Sequence, residues 1–105
     1  MKDLVGSLRK VRGIKSVKNR GDTLKINLYS REKGDVYEIE GDLRKISQKI
    51  SHRLDEARSK SEIDGWNWVQ KPEKQYRSKG PDIGNINDRQ PIGHKPPFYT
   101  VSIQE

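Results

Sequence analysis

Cysteine is missing from this chain altogether. That absence excludes disulfides, thiolate zinc sites, iron–sulfur clusters and cysteine nucleophiles. Long apolar runs are missing too. No stretch approaches the ~18 residues of a membrane span, and Met1–Gly13 lacks the continuous apolar segment of a secretory signal. The expectation is a soluble protein of the cytoplasm. Apolar residues are scarce in general, at 30% of 105 residues. Even with the 9 glycines added, the total stays below the usual ~45–50%. The core must be small, or part of the chain must lie outside it.

Histidine occurs twice, at His52 and His94, and neither sits in a ligand-spacing motif. No native metal site and no cofactor are expected. There is no glycine-rich phosphate loop and no nucleophile elbow. Glu38 and Glu40 alternate around Ile39 and would share a sheet face, where two carboxylates can hold a divalent cation for phosphodiester hydrolysis. No strand lysine follows them, and pairing with Lys25 or neighbouring bases across the strands accounts for them more simply. Arg20-Gly21-Asp22 spells an adhesion tripeptide, but three residues at a turn arise easily by chance. The chain is not expected to be an enzyme.

What the chain has in excess is positive charge, with 22 Lys+Arg against 15 Asp+Glu and a net charge of +7. The excess is localised. Residues 1–60 hold 16 bases and 9 acids, whereas residues 61–105 hold 6 of each. An even scatter would suit solubility alone; a concentration suits a binding face.

Periodicity divides the chain in the same place. Leu4, Leu8 and Val11 recur at helical spacing over Asp3–Arg12, with Gly13 as a stop. Three strand-like runs follow, Ile14–Lys18, Thr23–Ser30 and Asp35–Glu40, joined by turn chemistry at Asn19–Asp22 and Arg31–Gly34. Leu43, Ile46, Ile50, Leu54 and Ala57 then step by three and four behind the N-cap residue Asp42, giving a second helix over Asp42–Lys60. The predicted class is α+β, a small two-layer domain with helix, three-stranded antiparallel meander and helix over residues 1–60.

Residues 61–105 contain nine of the chain's fourteen Gly and Pro residues, which break every long period. They also contain five of the seven aromatics: Trp66, Trp68, Tyr76, Phe98 and Tyr99. A disordered tail is normally poor in aromatics. The reading is an extended C-terminal arm, partly packed on the domain or on a partner, ending in a short strand at Tyr99–Ile103 that is free to pair. Trp66 and Trp68 are two apart, so an extended backbone points them the same way. They suit three roles: covering the core, anchoring in a partner's pocket, or stacking on bases.

The bases fall on two elements and what joins them. Arg9, Lys10, Arg12, Lys15 and Lys18 surround the first helix and strand; Arg44, Lys45, Lys49 and Arg53 line the second helix. A helix N-terminus adds free amides and a positive dipole, which favour phosphate near Arg44, Lys45 and Lys49. Over residues 3–60 the element order resembles that of the double-stranded RNA-binding domain, whose second helix presents a basic cluster to phosphates. Arg44, Lys45 and Lys49 would be its counterparts. The first connection, Asn19–Asp22, lacks that family's Gly-Pro-x-His loop. The expected function is non-enzymatic contact with the phosphates of DNA or RNA, with little sequence specificity. The alternative is a protein-interaction module or homo-oligomer that docks through Trp66, Trp68, Tyr76, Phe98 and Tyr99.

Overall fold

A computed structural model describes residues 2–33, 36–72, 77–78 and 96–105. These residues form a small α+β domain with two helices, α1 (Lys2–Arg9) and α2 (Leu43–Ser59). The strands are β1 (Ile14–Arg20), β2 (Thr23–Leu28), β3 (Ser30–Lys33), β4 (Val36–Ile39), β5 (Gly65–Gln70), β6 (Arg77–Ser78) and β7 (Phe98–Gln104).

Helix α2 follows its apolar stripe. Ile46, Ile50, Leu54 and Ala57 are buried, and the Asp42 carboxylate accepts from the Arg44 amide at 2.8 Å, which caps the first turn. The helix ends in a pair of backbone bonds. Ser61 N–H donates to Arg58 O, and Glu62 N–H donates to Ala57 O. Ser61 stands at φ 60 to make that turn, a left-handed position usually held by glycine. The chain then enters β5 through the buried Ile63.

Helix α1 is shorter than its pattern predicts. After Arg9 the amides of Lys10, Val11 and Ile14 bond three residues back, so the helix tightens into turns while Leu4, Leu8 and Val11 still reach the core. Gly13 reverses the chain at φ +99. A Cβ there would lie 2.9 Å from the Glu40 carbonyl oxygen, so only glycine fits.

The larger sheet has the order β1-β2-β7-β5 with every neighbouring pair antiparallel. This corrects the predicted meander. The described residues of the run Asp35–Glu40 do not pair with β2. β4 pairs with β3 in a second sheet, ordered β3-β4-β6. The second edge of β2 is instead taken by β7, some seventy residues further on. The competition has a physical basis. β7 offers Tyr99, Val101 and Ile103 in alternation, all buried, to match Leu24, Ile26 and Leu28 on the same face of β2. Among the described side chains of β4, Ile39 alone joins the core. Tyr29 marks the break between the sheets: its amide donates to Gly13 O at 2.9 Å, and its carbonyl accepts from Glu40 N–H. The resemblance in element order to the double-stranded RNA-binding domain therefore does not extend to strand pairing.

The expectation of a terminal strand free to pair is also overturned. β7 is flanked by β2 on one side and β5 on the other. Its Ile103 amide also donates to Asp22 O at 2.7 Å, in the β1–β2 turn. The apolar sides of β1, β2 and β7 face the helices, and Leu4, Leu8, Ile46, Ile50 and Leu54 join Val17, Leu24, Ile26 and Val101 in a single core.

Candidate nucleic-acid interface

The two helices run antiparallel. Arg53 Nη1 donates to Ser7 Oγ at 2.9 Å across them, and a small crevice joins Asp3 and Leu4 to Glu56 and Lys60. Gly13, beyond the end of α1, lies against Ile46 in the first turns of α2. The start of α1 thus meets the end of α2, and the exit of α1 meets the start of α2. This arrangement brings Arg9, Lys10 and Arg12 to the same end of the domain as Arg44, Lys45 and Lys49. All six side chains are exposed. Lys15 is exposed nearby, at the β1 bulge between Ile14 and Ser16.

None of these seven bases has a carboxylate within ion-pair distance among the described residues. The nearest acid in sequence, Asp42, is committed to the Arg44 amide. Arg53 is different: half-buried and held by Ser7, it ties α2 to α1. Further along α2, the Lys60 ammonium donates to Glu56 at 3.1 Å and holds that carboxyl below its ordinary range, with His52 and Arg53 adding weaker attraction. His52 is exposed, 3.7 Å from Glu56; His94 lies outside the described residues.

Lys18 lies elsewhere, on the face of the larger sheet that the helices leave uncovered. Register defines that face. Lys18 stands opposite Lys25, Lys25 opposite Thr100, and Thr100 opposite Gln70. Arg20, Thr23, Ser102 and Asn67 form the next row, and Ser16, Asn27 and Phe98 the one on the other side. Among the described residues no side chain on this face is fully buried, and no Asp or Glu occurs on it. Asn27 Nδ2 donates to Ser16 Oγ at 3.1 Å, and Lys25 Nζ lies 4.6 Å from the centroid of the Phe98 ring. Arg20 belongs to the run of bases that the sequence shows ahead of the strands, whereas Lys25 did not stand out as a binding residue. The alternation of Thr23–Ser30 does put Lys25 opposite to the core, but only the distant β2–β7 pairing brings Phe98 and Thr100 beside it.

The aromatics assigned to docking divide by face. Tyr99 is wholly buried, and its hydroxyl shares a 2.8 Å hydrogen bond with Ser47 Oγ and donates to Leu43 O at 3.0 Å. Burial raises its phenol above the ordinary value, the Ser47 hydrogen bond opposing and the Asp42 charge assisting. Trp68 packs on Tyr99 with centroids 5.3 Å apart, and Trp66 meets Trp68 edge-on at 5.3 Å. Both tryptophans are half-buried against the core, and Trp66 Nε1 donates to Asp55 Oδ1 at 2.9 Å. Lys71 Nζ sits over the Trp68 ring at 4.8 Å. Of the described ones, Phe98 alone turns to the uncovered face. Tyr76 lies outside the described residues.

Glu38 and Glu40 both line a cleft of about 190 Å³ beside Tyr29. Glu38 accepts from Arg31 at 3.1 Å, its register partner across β3 and β4. Among the described residues no three His, Asp or Glu side chains converge on a point that would hold a metal ion. No described helix is long and apolar enough to cross a membrane. No protein-family model, curated protein or solved structure matches this chain.

Proposed function

We propose that this chain is a non-enzymatic nucleic-acid-binding accessory protein that contacts the phosphate backbone with little sequence specificity. The observation that carries the reading is the basic end of the domain. Two separate elements deliver six exposed cations there, and no described carboxylate pairs with any of them. Long side chains held unpaired at a capped helix N-terminus suit a polyanion, because helix dipole and side-chain charge act in the same direction. Arginine and lysine of this kind position a backbone; they do not read bases.

Fluorescence anisotropy with labelled DNA and RNA tests this. Log affinity falls linearly with log salt, at ~0.7–0.9 per phosphate contacted. Replacing Arg44, Lys45 and Lys49 together with Gln weakens binding uniformly across sequences and lowers the slope by about two to three. Failure of the wild-type chain to bind any DNA or RNA at ~50 mM salt, where phosphate contacts are strongest, sinks the reading.

A further inference from the structure

The uncovered face of the larger sheet has a composition that folding does not ask for. Lys18 and Lys25 are direct cross-strand partners. Like charges in that position destabilise a strand pair, and opposite charges would support it. Yet among the described residues no carboxylate stands on the face to relieve them, and Arg20 adds a third cation one row away. The same face presents an aromatic ring, Phe98, beside Lys25. Around these lie Thr, Ser, Asn and Gln side chains, which both donate and accept hydrogen bonds.

We infer that this face is a platform for a single-stranded segment of nucleic acid, in which a base stacks on Phe98 while Lys18, Lys25 and Arg20 hold the neighbouring phosphates. The inference rests on the reading of the chain as a nucleic-acid binder and adds a second contact surface to the basic end. Charge complementarity selects a polyanion. The ring selects a single strand, because an exposed base offers a π-face to an aromatic side chain, whereas a duplex keeps its bases stacked inside. Lys25 now lies over Phe98; on binding it moves from the ring to a phosphate, and the base takes its place. An acidic polypeptide would satisfy the lysines but has no use for the ring.

The test compares a short homopyrimidine strand with a duplex of equal length, both labelled and followed by anisotropy, using the full chain. Phe98→Leu keeps an apolar side chain but removes the π-face. It lowers the ratio of single-strand to duplex affinity on the order of tenfold. Phe98→Tyr, which keeps a ring, restores the ratio. The double variant Lys18→Gln with Lys25→Gln lowers the single-strand salt slope by about 1.4, at ~0.7 per phosphate contact removed. Circular dichroism and the thermal midpoint establish that each variant is folded, and the lysine pair provides a readout should Phe98→Leu fail to fold. If the wild type binds both ligands but the ratio and the slope stay unchanged in folded variants, the platform is refuted and the phosphate-binding basic end stands. If the wild type binds neither ligand, both readings fall. A polyglutamate peptide whose binding depends on Phe98 as strongly as the single strand does would reassign the face to a protein and overturn the inference.

Discussion

Strands β2 and β7 build two opposite surfaces from alternate residues. On one side Leu24, Ile26, Leu28, Tyr99, Val101 and Ile103 are buried beneath the helices. On the other, Thr23, Lys25, Asn27, Phe98, Thr100 and Ser102 remain accessible. The period-2 geometry of a strand keeps the two jobs apart, since a substitution at one residue does not intrude on the face of the next. The difference also shows why a chain so poor in apolar residues folds. Nearly every large aliphatic residue described serves a single face; Val69 is the large aliphatic left exposed, at 61%. The open face is spared the need to be apolar, so it can carry charge.

The sharpest way to break this comparison is to truncate neighbours. Ile26 is fully buried, and Ile26→Ala costs about 2–5 kcal/mol in chemical denaturation, from lost transfer energy plus the cavity left behind. Lys25→Ala, one residue away, changes stability by roughly 0.5 kcal/mol or less. Equal costs at the two positions would mean that the second face is packed too. Tyr99→Phe comes next. It removes a hydroxyl bonded to Ser47 Oγ and Leu43 O, at a cost of about 1–2 kcal/mol. The same group gives a pH signature. The folded phenol titrates above its unfolded value of ~10. Its stabilisation is therefore complete below pH ~10 and is lost as pH rises past that value toward the folded pKa, because the unfolded chain ionises first. Alkaline melts of Tyr99→Phe should show a shallower loss of stability above pH ~10 than the wild type; parallel curves would contradict the assignment.

Local pattern made much of the covered side legible. The stripe Leu43–Ala57 and the Asp42 cap mark α2, which runs Leu43–Ser59 against an expectation of Asp42–Lys60. The run Thr23–Ser30 alternates as a strand does, and β2 follows it as far as Leu28, Ser30 already belonging to β3. The larger sheet was not legible, because its β2–β7 ladder joins residues about seventy positions apart, and no local periodicity encodes which strand wins an edge. Asp35–Glu40 looks like a strand, and Val36–Ile39 within it forms β4, but its apolar content was too thin to claim β2. The candidate site shows the same division. The cations of α2 were readable as a helix face. Their meeting with Arg9, Lys10 and Arg12 depends on the antiparallel packing of two helices, which Gly13 and the Ser7–Arg53 bond make possible. The lysine pair on the open face needed only the β1–β2 hairpin, whereas placing Phe98 beside it needed the full sheet.

The smallest predicted effect concerns the thinner part of the cover. Helix α1 is only eight residues long and carries Gly6 in its interior, yet Leu4 and Leu8 on it are buried in the core. A Cβ built at Gly6 meets nothing within 4 Å, and the residue is not among the glycines of positive φ. Alanine therefore fits without strain and restricts the unfolded chain, which should raise stability by about 0.4–1 kcal/mol. Gly13 provides the opposing case, since alanine there would meet the Glu40 carbonyl in a left-handed conformation and should destabilise. Because Gly6 lies on the helix layer, its gain should appear in the denaturation midpoint while affinity for single strands stays at the wild-type level. A Gly6→Ala protein that is more stable but binds single strands more weakly would show that the two faces are coupled, and that the open face needs a loosely held helix behind it.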